Sequence, residues 1–109
     1  MKQERLTPSF TEKCYQLVAR IPHGKVTTYK LIANALGSNA YRAVGTAMKN
    51  NPDAPKVPCH RVIATNGALG GYAYGAQKKA ALLRAEGIVI KNGHICNLEQ
   101  VLWQPSKHR

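Results

Sequence analysis

The feature that most limits the fold of this chain is the spacing of its helix breakers, because no stretch with helical periodicity runs far before Pro or Gly ends it. Across residues 9–21 the apolar side chains Phe10, Cys14, Leu17, Val18 and Ile21 recur at helical spacing. Ser9 or Thr11 is placed to cap the start, and Pro22 stands just past the end. Cys14 lies on the apolar stripe and reads as a small core residue. After the turn HGKV, Thr27 or Thr28 caps a second helix through Tyr29, Leu31, Ile32 and Leu36, which Gly37 stops. A third helix begins near Asn39 and carries Tyr41, Arg42, Val44 and Met48 between the small residues Ala40, Ala43, Gly45 and Ala47. NNPDAPKVP then forces a loop leading into PCHRVI, and the Gly-rich NGALGGYAYG forms another. Residues 77–86 predict a fourth helix closed by Gly87. Residues 88–90 and 94–98, around Asn92 and Gly93, predict a β-hairpin.

Two short helices around Gly37 read as a helix-turn-helix, a unit whose second helix commonly enters a groove of DNA. With the hairpin, the expected fold is mainly α, a winged helix-turn-helix-like domain. The 109 residues suit a single domain, with a core over about 9–98 and a tail over about 99–109 in which Trp103 docks and the end frays. Sixteen Lys and Arg against five Asp and Glu, a formal charge of +11, favour a polyanionic partner, nucleic acid first. Three cysteines without regular spacing argue against a disulfide framework and for a reducing compartment. Neither a membrane-length apolar run nor a secretory signal is present, so the expected location is cytoplasmic, or nuclear in a eukaryote. Cys96, in the predicted hairpin, reads as a half-buried strand residue.

The segment from Pro58 to Ile63 carries the chemistry. Cys59 and His60 are adjacent, with no second Cys or His pair nearby, so neither a metal nor a cofactor is expected. A free thiol is only a few per cent thiolate at neutral pH, and a nucleophilic cysteine needs a base or a cation beside it. His60 and Arg61 are available for that. On composition alone, a buried cysteine next to a surface histidine fits better.

PCHRV, set behind NNP and followed by NGALGGY and LLRAEG, resembles the active-site signature of the O6-alkylguanine-DNA alkyltransferases over about residues 10–87. The resemblance implies that Cys59 accepts the alkyl group, that His60 takes its proton through a water, and that Glu86 orients His60. It gives Tyr29, in KVTTYKLIA, the task of helping to protonate the departing guanine. Asn51, which braces the loop, is expected to line the base pocket with Val62, Tyr72, Ala73 and Tyr74. Arg42, in NAYRAVG, fills the gap left by a flipped base, and Ala43, Gly45, Thr46, Lys49 and Arg61 complete the DNA contacts. The implied partner is double-stranded DNA containing O6-alkylguanine, bound by a monomer, with no role for a membrane.

The chain also departs from the family pattern. Many members carry an additional N-terminal α/β domain, whereas the expectation here is the catalytic domain alone. Tyr41 replaces a residue that is often small, and Tyr74 stands where some members have glycine. The rival reading is an alkyltransferase-like protein, which binds the lesion but has another residue in place of the acceptor cysteine; Cys59 argues against it. A winged-helix regulator would leave PCHRVI and Glu86 without a purpose, and a thiol hydrolase lacks any sign of a cleft for peptides or esters.

Overall fold

Ser9 begins the first helix by a reciprocal cap: its Oγ accepts from the Glu12 amide at 3.1 Å and its own amide donates to Glu12 Oε1 at 2.8 Å. The computed structural model describes residues 9–53 and 56–105. Ala54 and Pro55 of the predicted loop, and the last four residues of the tail, lie outside the described residues.

The capped helix α1 spans Phe10–Val18 and buries Cys14, Leu17 and Val18, while Ile21 is buried in the turn that follows. Strand β1, Thr27–Thr28, leads directly into α2, Tyr29–Ala35, with Thr28 Oγ1 accepting from the Leu31 amide at 3.0 Å. Helix α3, Tyr41–Lys49, starts later than the sequence predicts, since Ala40 is its N-cap. It packs Val44, Ala47 and Met48 against α1 and α2. Burying side chains the size of Val44 or Met48 stabilises the domain by about 1.5–3 kcal/mol each.

One turn of 3-10 helix, Cys59–Arg61, runs into strand β2, Val62–Ile63, which pairs in parallel with β1 in the register Thr27↔Val62 and Thr28↔Ile63. Successive strand residues face opposite ways. Val62 accordingly joins the cluster built on the first three helices, and Ile63 joins a second cluster with Val26, Leu83, Ile88 and Ile95. This short parallel pair is absent from the sequence reading. It sets the first turn of α2 beside the turn that carries Cys59.

Helix α4, Ala76–Ala85, ends in a paired cap in which the Gly87 amide donates to Arg84 O and the Ile88 amide to Leu83 O. Gly87 has φ +91°, which costs least without a Cβ, and it leaves Glu86 fixed as the last residue of the turn. The hairpin is shorter than predicted, with β3 at Ile90–Lys91 and β4 at His94–Ile95. Asn92 and Gly93 both take positive φ, as a tight antiparallel turn requires. Leu98 belongs not to a strand but to a further helix, α5, Leu98–Val101, and Cys96 is exposed rather than half-buried in a strand. Trp103 is half-buried against the first cluster, its amide donating to Val26 O at 2.7 Å. Among the described residues no helix is long and apolar enough to cross a membrane.

Candidate active site

Cys59 is held where the loop ends. Asn51, itself buried, donates from Nδ2 to Val57 O at 2.8 Å and accepts the Asp53 amide on Oδ1 at 2.9 Å, so it ties both sides of the turn that leads to the cysteine. The Cys59 amide donates to Val57 O at 2.8 Å. Only 2% of Cys59 is exposed. Burial pushes its thiol above the usual cysteine value, and a hydrogen bond from Asn51 and the charge of Lys79 work against that rise. The thiol at rest is therefore protonated, and reaction requires a base.

That base is adjacent. His60, 3% exposed, places Nε2 2.9 Å from Glu86 Oε2. A carboxylate there accepts the Nε2 proton, which leaves Nδ1 as the free acceptor, and Nδ1 has no hydrogen-bond partner among the described residues. Burial lowers the His60 pKa, against the pull of Glu86, so the imidazole is neutral at physiological pH and able to take a proton. Glu86 also accepts from the Gly24 amide at 3.0 Å and from Arg61 Nε and an Arg61 terminal nitrogen at 2.9 Å and 2.8 Å. Burial alone would raise its carboxyl; the hydrogen bonds from Arg61, His60 and Gly24 outweigh that and bring it down to about 2.

Arg61 is thereby corrected. The family resemblance places it among the DNA contacts, but its guanidinium turns inward onto Glu86, and its remaining terminal nitrogen donates to Ile21 O at 2.8 Å. Those commitments leave it bracing Glu86 and not meeting a phosphate.

Within electrostatic reach of Cys59, Tyr29 opens α2, and its hydroxyl lies 3.4 Å from Lys79 Nζ. Lys79 was not singled out from sequence, yet it is fully buried and donates also to Val62 O at 2.7 Å and Gly71 O at 3.1 Å. Burial brings its pKa down to about 8, with Cys59 acting in the opposite sense. One signal was available: Lys79 precedes Leu83 by four residues and Glu86 by seven, which puts all three on one face of α4. Gly70 packs against Tyr29 so closely that an added Cβ would meet the hydroxyl at 2.6 Å, so the loop and the phenol fit only with glycine there, at φ +75°.

Helix α3 borders Tyr29. Arg42, Gly45, Thr46 and Lys49 line an open cleft of about 330 Å³ together with Tyr29 and Gly71. Ala43 is exposed but is not part of that lining. Tyr72 is mostly buried and meets His60 edge-on at 6.3 Å between ring centres, while Tyr74, 60% exposed, stacks edge-on against Tyr72 at 5.7 Å. Ala73 is exposed between them, and Val62 is buried in the core, presenting its carbonyl to Lys79. A larger cleft of about 450 Å³ lies between the end of α2 and Pro105, with no thiol, imidazole or carboxylate in its lining. Among the described residues no group of three or more His, Cys, Asp or Glu is placed to hold a metal ion.

Residues 9–88 match the family described as 6-O-methylguanine DNA methyltransferase, DNA binding domain. The chain is 51% identical over 84 residues to the methylated-DNA--protein-cysteine methyltransferase of Saccharolobus islandicus (strain M.16.27), covering 77% of this chain and 54% of that protein. It thus spans about half the length of the curated relatives it matches. Among solved structures, S. pombe Atl1 in complex with damaged DNA containing O6-carboxymethylguanine superposes with a TM-score of 0.78 at 37% identity, covering 88% of this chain and 95% of that one. Mycobacterium tuberculosis OGT in complex with DNA gives a TM-score of 0.70 at 42% identity, over 73% of this chain and 50% of that one.

Proposed function

Given that the chain belongs to the 6-O-methylguanine DNA methyltransferase family, we propose that it repairs DNA by moving an alkyl group from O6 of guanine to the sulfur of Cys59. The observation that carries this reading is the buried Cys59, next in the chain to His60, which Glu86 holds, and within electrostatic reach of Tyr29 and Lys79, which contact each other. Neutral His60, held by Glu86, takes the thiol proton at Nδ1 through a water as the sulfur attacks the alkyl carbon. The carbon–O6 bond breaks, a carbon–sulfur bond forms, and guanine departs with a negative charge. The Tyr29 hydroxyl donates a proton to the base, and Lys79 stabilises the phenolate that this leaves. The thioether does not revert under these conditions, so one protein repairs one lesion.

Reaching a base inside a duplex requires rotating it out of the stack, at a cost of a few kcal/mol. Arg42, Gly45, Thr46 and Lys49 on α3 line the cleft beside Tyr29 and form the face that meets the duplex, with Arg42 filling the vacated position. The charge of +11 adds salt-sensitive, sequence-independent attraction to phosphates.

The structural likeness to S. pombe Atl1 in complex with damaged DNA favours a second reading, a protein that binds the alkylated base without accepting its alkyl group. The two separate on mass. After mixing with a duplex that contains O6-methylguanine, the intact protein should gain one methyl group, located on Cys59 and absent from Cys59→Ala. Tight binding of the lesion without that increment would establish the second reading. A further expected result is that Arg42→Ala slows transfer from duplex by about tenfold or more while leaving reaction with the free base O6-benzylguanine near that of the unaltered protein. Equal losses on both substrates would refute a role in flipping.

A further inference from the structure

The cleft on α3 accounts for Arg42, Gly45, Thr46 and Lys49 but not for the residue just before them. Tyr41 is the first residue of α3 and is 49% exposed. Among the described residues its ring meets no other aromatic ring and its hydroxyl makes no hydrogen bond. At about 100° per residue, Tyr41 sits on the helix between buried Met48 on one side and Gly45 on the other, next to the cleft-facing stripe and outside the cleft lining. Gly45, one turn further on, has open space where a side chain would lie, so nothing on α3 crowds a strand running beside the ring.

We propose that Tyr41 is a second DNA-reading side chain of α3, an aromatic plate that stacks on the base left in the duplex next to the flipped nucleotide. This rests on the alkyl-transfer reading above. If Arg42 enters the vacated position, the side chain one residue earlier on the same helix end lies against the neighbouring step. A phenol held half in water gains little there in the free protein, whereas any of the four bases offers it a flat apolar face. The cations beside it, Arg42 and Lys49, draw the phosphate backbone to the same edge and make nucleic acid the fitting occupant. Because every base has such a face, the contact tolerates sequence and strengthens with purines. Tyr41 would thus set how readily duplex is engaged, and the chemistry at Cys59 would not depend on it.

The test compares Tyr41→Ala, Tyr41→Trp and the unaltered chain on an O6-methylguanine duplex and on free O6-benzylguanine, with melting temperatures confirming that each variant is folded. Tyr41→Ala should slow transfer from duplex by about tenfold, Tyr41→Trp should restore it, and both should react with the free base as the unaltered chain does. With 2-aminopurine placed beside the lesion, binding by the unaltered chain should quench its fluorescence more than binding by Tyr41→Ala. An alanine variant as fast as or faster than the unaltered chain on duplex would overturn the proposal. So would a tryptophan variant as slow as alanine, or a loss on the free base of the same size. If the unaltered chain gained no alkyl group from either substrate, the transfer reading would fail by itself; the stacking proposal would then stand or fall on the 2-aminopurine signal and on lesion-duplex affinity.

Discussion

Replacing Glu86 with alanine should cost this protein both its stability and its reactive cysteine. The carboxylate is 9% exposed and accepts hydrogen bonds from His60, Arg61 and the Gly24 amide, which join α4, the Cys59 turn and the segment after α1. Removing one partner of a buried ion pair strands the other, at about 3–5 kcal/mol. For a domain of this size that corresponds to a fall in Tm of roughly 15–30 °C. The same change frees the His60 ring from its fixed tautomer, and transfer to Cys59 should slow by about 10²–10³-fold. Glu86→Gln separates the two effects, because the amide keeps the volume and can still accept from His60 but no longer balances Arg61. The pH dependence supplies a second check. The folded carboxyl titrates at about 2 against an ordinary 4.5, so its contribution to stability is complete above about 4.5 and disappears as the pH falls toward 2. That contribution is about 3 kcal/mol. Urea unfolding between pH 7 and pH 2.5 should therefore show a steep acid loss in the unaltered protein and a shallower one in Glu86→Gln. Identical acid profiles would show that Glu86 is not the brace described.

How far the sequence reveals this arrangement depends on how local each signal is. The cap of Ser9 and Glu12, the Thr28 cap, the stops at Gly37 and Gly87 and the turn at Asn92 and Gly93 are each made by residues within a few positions of one another, and each is legible as a pattern. The β1–β2 pair is not. Two residues per strand carry no periodicity, and the pairing follows from packing between segments far apart in the chain. Helix α5 is four residues long, too short to show a helical period, and its apolar positions read equally well as the end of a strand.

The same distinction divides the site residues. Cys59, His60, Glu86 and Tyr29 have roles by resemblance; the fold buries Cys59 and His60, seats His60 on Glu86 and brings the half-buried Tyr29 within electrostatic reach of Cys59. Arg61 reads as a surface cation because its partners, the Ile21 carbonyl and Glu86, lie 40 residues before it and 25 after it in the chain. Lys79 was passed over because burying a lysine depends on acceptors that only the fold assembles: a strand carbonyl, a loop carbonyl and a phenol. Neither residue breaks the amphipathic pattern enough to be noticed, since arginine and lysine in a basic chain ordinarily mark a solvated face.

Lys79 therefore carries the second large prediction. Its ammonium is a positive charge acting on Cys59 and the hydrogen-bond neighbour of Tyr29, so it favours both the thiolate that attacks and the phenolate that remains. Lys79→Met keeps the bulk and removes the charge. Two carbonyls, those of Val62 and Gly71, lose their donor, at about 1–3 kcal/mol for each one left unsatisfied. Transfer should slow by about 10²-fold or more, and equally on duplex and on a free base, because the loss falls on the chemical step and not on base flipping. The pH profile distinguishes this from simple loosening of the fold. Lys79 titrates at about 8, while Cys59 stays protonated above its ordinary value of 9.0, so in the unaltered protein the rate should decline on the alkaline side as Lys79 loses its charge. In Lys79→Met the remaining rate should be flat across that range. A variant that is slow but keeps the alkaline decline would assign that titration to another group and reduce Lys79 to a structural support for the loop.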